Sequence, residues 1–271
     1  MEKKYEVLKN DNIIHEGKIL YRIRALRDVV CSNGKIIAKK GDLGGYIEKE
    51  WNLSHKGGAW IADDATVHGN AKVSCDAYVG DKADVHYKAR VYNQAKIMGN
   101  ACVAGRAKVY GKVRIYDDAF ISDNAIVFGH AEVYGNAQVG DNSIVHGHAK
   151  IYDNALILDR SNVYGNPEIC EDAVCFGNSV IRDYAFIGGT VHVFDYAVVC
   201  GRAKIAGNCD VRDNCFVCYA ATFDGDFELS GDTIHFYGPD SNQQDNLDKN
   251  NDCPNNKKHG LIGFFRRLLG I

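Results

Sequence analysis

From Ile61 onward, every sixth residue is aliphatic or otherwise apolar. The series runs Ile61, Val67, Val73, Val79, Val85, Val91 and Ile97, and so on to Val217, Phe223 and Leu229; of its 29 positions, 26 are Val or Ile. A small residue sits two places before each, as at Ala65, Ala71, Ala77, Ala83 and Ala89. Two places after comes Gly or Asp, often followed by Asn, as in Gly69-Asn70, Gly99-Asn100 and Gly135-Asn136. Side chains alternate along a strand, so Ala-x-Val is a short strand with two inward side chains. The β-branched residue suits a buried pleated surface. Gly and Asn tolerate positive φ, so the step that follows is a corner. One strand and one corner use six residues, and three such units close a triangular coil of 18. Residues 59–232 then form about ten coils of an all-β, single-stranded parallel β-helix, stacked at a strand spacing of ~4.8 Å. Helical periodicity is absent from this stretch.

The 18-residue period makes a prediction about the outward positions. Just after the inward residue it places Tyr92, Tyr110, Phe128, His146 and Tyr164 in one row, and Tyr116, Tyr134 and Tyr152 in another. Equivalent faces should therefore carry aromatic ladders. These stabilise the sheets, or offer a binding surface for a subunit or ligand.

A Val or Ile every sixth residue, with a small residue four places on, resembles the hexapeptide-repeat left-handed β-helix proteins. The resemblance covers residues 59–232 and implies the left hand, since the general crossover rule favours the right. A closer likeness lies upstream. Gly41-Asp42-Leu43-Gly44-Gly45-Tyr46-Ile47, then Asn52-Leu53-Ser54, then Gly58-Ala59-Trp60-Ile61 is similar to the lead-in segment of the YdcK-like proteins, a group classed as transferases by fold. In hexapeptide enzymes Gly often directly follows the aliphatic residue, whereas here it comes one place later.

The ends of the chain break the pattern. Residues 1–58 read as an N-terminal β cap of short strands and turns, with Asn33-Gly34 suited to a tight hairpin. A cap is expected because an open β-helix end exposes unpaired backbone groups. Residues 233–259, rich in Asn, Asp, Gln and Lys, read as a flexible polar linker. Residues 260–271 change period again. Leu261, Ile262, Phe264, Phe265, Leu268 and Leu269 fill one half of a helical wheel, with Arg266 and Arg267 opposite. So short an amphipathic helix needs a surface to form on. The protein's own β-helix or a neighbouring subunit, an anionic membrane surface and a partner's groove all remain open.

Composition narrows the function. A net charge of −3 gives no reason to expect nucleic acid. The segment Met1-Glu2-Lys3-Lys4-Tyr5-Glu6 lacks a signal-peptide core, and no run of 18 apolar residues occurs. Ten cysteines without a secretion signal read as reduced thiols in a cytoplasmic protein. Cys200 and Cys218 should be outward stacked neighbours, with a disulfide or a thiol nucleophile there as the lesser alternative to reduced thiols, while Cys209 and Cys215 fill small inward positions. There is no Cys-x-x-Cys pair and no His-x-x-x-x-His pair, the latter a feature of the γ-class carbonic anhydrases of this fold; no metal site is expected.

Family resemblance directs attention to histidine, the usual general base of hexapeptide acyltransferases. His68 and His86 are 18 apart and should stack, as should His130 and His148. His130, His146 and His148 are the candidate catalytic cluster, read against an ordinary solvated face. The aliphatic register runs without a slip from Ile61 to Leu229, leaving no loop to wall an acceptor pocket. Two functions follow. One is a non-catalytic scaffold or interaction protein, cytoplasmic or peripheral at a membrane, docked through residues 260–271. The other, implied by resemblance, is an acyltransferase using acetyl-CoA or another acyl-CoA at sites between the subunits of a homotrimer.

Overall fold

Each two-residue strand bonds to its counterparts 18 residues before and after it. Val85 pairs in parallel with Val67 on one side and Val103 on the other. Val91 stands in the same way between Val73 and Val109, and Ile97 between Val79 and Ile115. The computed structural model describes residues 3–237 and is a parallel β-solenoid of about 11 turns, with three short strands per 18 residues. One strand column holds ten strands. The expected helix over 260–271 and most of the linker lie outside the described residues.

The interior is the hexad series itself. Val67, Val85, Ile97, Ile121 and Ile151 are fully buried, as are the alanines two places before them. Three alanine positions in one column are serine instead. Ser143 and Ser161 donate to the carbonyls of Gly140 and Leu158 at 2.7 and 2.8 Å, and Ser179 donates to Ser161 Oγ at 3.1 Å. These buried hydroxyls are thus satisfied without disturbing the register.

Every sixth residue from Asp63 to Gly231 has a positive φ, which is why the corner position is restricted to Gly, Asp and a few others. Aspartate has a further use there. Its carboxylate accepts the main-chain N–H of the corner one turn on, as Asp81 does from Gly99 at 2.8 Å and Asp213 from Gly231 at 2.8 Å. Cys75, Tyr87, Glu171 and Tyr219 hold the same backbone conformation without being Gly, Asp or Asn.

The cap is built from antiparallel strands. Tyr5–His15 pairs with Lys18–Ala25 through a tight turn at Glu16-Gly17, and Lys18–Ala25 pairs with Leu43–Ile47. Val29–Val30 and Ile36–Ala38 form the hairpin expected around Asn33-Gly34. The lead-in motif is where cap becomes solenoid. Tyr46 and Ile47 pair in parallel with Thr66 and Val67, which adds a rung below the first hexads. A Cβ on Gly44 would lie 2.5 Å from the Ile61 carbonyl oxygen, and one on Gly45 2.4 Å from that of Ala65, so only glycine lets the backbone approach this closely. Asn52, fully buried, ties the motif to the next rung by donating to the Ala71 carbonyl at 2.9 Å.

At the other end the stack runs past the Asp232 boundary read from the sequence. Ile234–Tyr237 pairs in parallel with Phe216–Ala220, placing His235 opposite Val217 in the hexad position. Burial pushes the His235 imidazole below its usual range. The polar residue hides the hexad from a pattern search, yet the backbone continues.

Candidate functional site

The two aromatic rows stack as the period requires. Tyr92, Tyr110, Phe128, His146 and Tyr164 form one ladder with centroid spacings of 4.8, 5.1, 4.6 and 5.2 Å. Tyr116, Tyr134 and Tyr152 form the second, with adjacent rings 3° from parallel. A further pair, Phe176 and Phe194, extends the pattern at 4.8 Å.

The three candidate histidines divide between two places. His146 belongs to the ladder, between Phe128 and Tyr164. His130 and His148 stack on each other at 4.7 Å, two positions further along the chain. Among the described residues none of the three makes a side-chain hydrogen bond or ion pair, so no carboxylate orients an imidazole there as a general base would need.

A denser arrangement lies at the junction of cap and solenoid. Outward positions on adjacent turns bring Thr66, Asp84 and Cys102 into one column, and His68 and His86 into the next. The hairpin tip carrying His15, Glu16 and Lys18 closes over them. Asp84 is the hub. It accepts from Thr66 Oγ1 at 2.7 Å and pairs with His86 Nδ1 at 2.8 Å and His15 Nε2 at 3.3 Å. His68 Nε2 lies 3.2 Å from the same carboxylate but without hydrogen-bond alignment, although the residue is fully buried. Lys18 Nζ, which can only donate, sits 3.0 Å from His68 Nδ1. Tyr87, one of the non-glycine corners, sets its ring edge-on to His86 at 4.7 Å.

Burial alone would raise the Asp84 pKa, but His68, His86 and Thr66 outweigh it and hold the carboxyl far below the usual range. Burial, with Asp84 and Glu16 nearby, pushes the Cys102 thiol up to about 12. Three overlapping donor sets, His15–His68–Asp84, Glu16–His68–His86 and Asp84–His86–Cys102, each have their ligand atoms within 4.8 Å of one another. The sequence contains half of this site openly. His68 and His86 share the 18-residue period, and Asp84 precedes His86 by two, on the same side of the strand. His15 and Glu16 carry no such signal, because only the folded cap brings them across.

Beside the other hairpin, Tyr78 and Met98 floor an open groove of about 470 Å³ rimmed by Lys35, Lys96, Lys112 and Arg114. Cys200 and Cys218, read as reduced outward neighbours, are instead joined in a disulfide and buried against Val180, Val198 and Phe216. Stacking sets their Cα atoms 4.6 Å apart, within disulfide reach. No family model matches the chain, and no curated protein matches it. Among the described residues, no helix is long and apolar enough to cross a membrane.

Proposed function

We propose that this chain is a non-catalytic scaffold, a left-handed hexapeptide-repeat rod of triangular coils resembling the YdcK-like proteins. Its tyrosine rows carry a partner, and an amphipathic helix over 260–271 docks it, in the cytoplasm or at a membrane surface. The observation that supports this is the unbroken stack. From Ile61 to Leu229 the register holds with one left-handed residue at each corner, so no inserted loop encloses a pocket along the later turns. Rows of parallel rings on a rigid surface suit a partner that contributes flat apolar groups. Deleting residues 259–271 tests the docking role. The truncated protein keeps its far-UV spectrum and melting temperature but loses its place in cell fractionation; an unchanged distribution refutes docking. Tyr110→Ala with Tyr134→Ala should weaken partner capture without unfolding the rod.

One observation favours the second reading, an acyl-CoA-dependent acyltransferase assembled as a homotrimer. The groove lined by Lys35, Lys96, Lys112 and Arg114 offers four cations against the one carboxylate of Asp76, a net positive lining for a polyanionic ligand. Mass in solution and a thermal shift with acetyl-CoA decide it. A trimer stabilised by the cofactor supports the enzyme, and a monomer indifferent to it removes the reading.

A further inference from the structure

We propose that His15, His68 and Asp84 bind a divalent transition-metal ion of the zinc class, clamping the hairpin tip onto the first turns of the solenoid. Two imidazole nitrogens and a carboxylate suit a borderline ion such as Zn(II) or Co(II), and do not suit Mg(II) or Ca(II), which prefer all-oxygen shells.

The distances fit. Zinc bonds of about 2.0–2.1 Å to nitrogen and oxygen give a tetrahedron with edges of roughly 3.3–3.4 Å. His15 Nε2 lies 3.3 Å from Asp84 Oδ2, and His68 Nε2 lies 3.2 Å from Asp84 Oδ1, so each imidazole is at edge distance from its own carboxylate oxygen and a turn of the carboxylate lets one oxygen serve both. All three ligand atoms fall within 4.8 Å of one another. Hydrogen bonding accounts for all of the site but one atom. His68 is fully buried, and its Nε2 faces the carboxylate with no hydrogen-bond partner. Such an orphaned buried group is unfavourable, and a bound ion would satisfy it.

The surroundings supply what a metal site needs beyond its ligands. Thr66 Oγ1 and His86 Nδ1 fix the Asp84 carboxylate at 2.7 and 2.8 Å, as outer partners commonly orient a ligating group. Glu16 Oε2 is 3.9 Å from His68 Nε2, and its side chain is half exposed. It groups with His68 and His86 rather than with His15 and Asp84, so the fourth position falls to water, which the exposed side of Glu16 lets in.

One contact opposes the ion and makes the proposal testable. Lys18 can only donate to His68 Nδ1, so that nitrogen keeps its lone pair and the proton sits on Nε2, where the metal must bind. Metal binding moves the proton to Nδ1 and expels the lysine. Lys18→Gln removes the positive charge and offers a carbonyl oxygen to Nδ1–H. A structural polar network would be weakened by that change, whereas a metal site is strengthened.

The experiment is equilibrium dialysis of the full chain against Zn(II), with Co(II) visible absorption as a probe of coordination. The expected result is one ion per chain, affinity at least ~tenfold weaker in His15→Gln and His68→Gln, and tighter binding in Lys18→Gln. His130→Gln with His148→Gln should leave binding unchanged. Should His68→Gln fail to fold, His15→Gln, at the partly exposed hairpin tip, carries the test alone. No stoichiometric ion, or binding that survives His15→Gln, overturns the site, as does weaker binding in Lys18→Gln.

Discussion

Asp159 Oδ2 accepts the main-chain N–H of Gly177, directly above it in the next turn, at 2.9 Å. Asp159 itself has φ of 57° and donates its own N–H to Asp141 Oδ2 at 3.1 Å. The corner aspartate therefore answers two demands: it tolerates the left-handed backbone, and it ties one turn to the next.

These demands separate on substitution. Asp159→Ala loses the hydrogen bond and adds the strain of a left-handed alanine, together about 2–3 kcal/mol. Asp159→Gly loses the bond but relaxes the backbone, so it should cost about half as much. Urea unfolding of the two variants gives the order. Alanine as well tolerated as glycine would show that φ does not limit this corner.

Lys4 is fully buried, with Nζ on the Ala59 carbonyl at 2.6 Å. Burial, helped by Arg27, lowers its pKa from 10.5 to about 8. Between these values the unfolded chain binds the proton and the folded chain releases it, so stability rises with pH through that window. At about 1.4 kcal/mol per pH unit the full gain is on the order of 3 kcal/mol. Lys4→Met should lack this increment. Melting both proteins at pH 7.5 and pH 10 measures it; an equal pH response in the two would refute the buried ammonium.

What the sequence made legible is the repeated part. Val67, Val73 and Val79 announce strand, inward face and period at once, because each turn repeats the same local chemistry. The ladders from Tyr92 and Tyr116 follow from the period alone. Non-repeating contacts were hidden. Glu16-Gly17 is not the Asn-Gly that marks a tight hairpin, so the turn that delivers His15 to Asp84 gave no signal. His235 masks the last hexad because it is polar, although the backbone still pairs. His68 and His86 were visible through the period, and Asp84, though not singled out, meets them on the same turns; only the arrival of His15 and Glu16 depends on where the cap folds back.

His146 tests the ladder. It stacks between Phe128 at 4.6 Å and Tyr164 at 5.2 Å, and burial lowers its pKa from 6.5. The unfolded state therefore binds more protons just below pH 6.5, and stability should rise with pH as that value is approached. His146→Phe keeps the stack and removes the charge, so it should gain on the parent at pH 5 and match it near pH 8. Imidazole proton shifts locate the midpoint directly. A midpoint at or above 6.5 would contradict the stacked, shielded ring.

The disulfide gives the last prediction. Cys200 and Cys218 close a loop of 18 residues between adjacent turns. Chain-entropy arguments assign such a loop about 3 kcal/mol, acting on the unfolded state. The nearby turns carry the same hydrogen bonds with or without it, so Cys200→Ser with Cys218→Ser should remain folded but melt earlier. Reductant should lower the parent's melting temperature toward that of the double variant and leave the variant unchanged. Thiol labelling in denaturant should count two fewer thiols before reduction than after. Equal counts, or a double variant as stable as the oxidised parent, would mean that stacking alone holds these turns together.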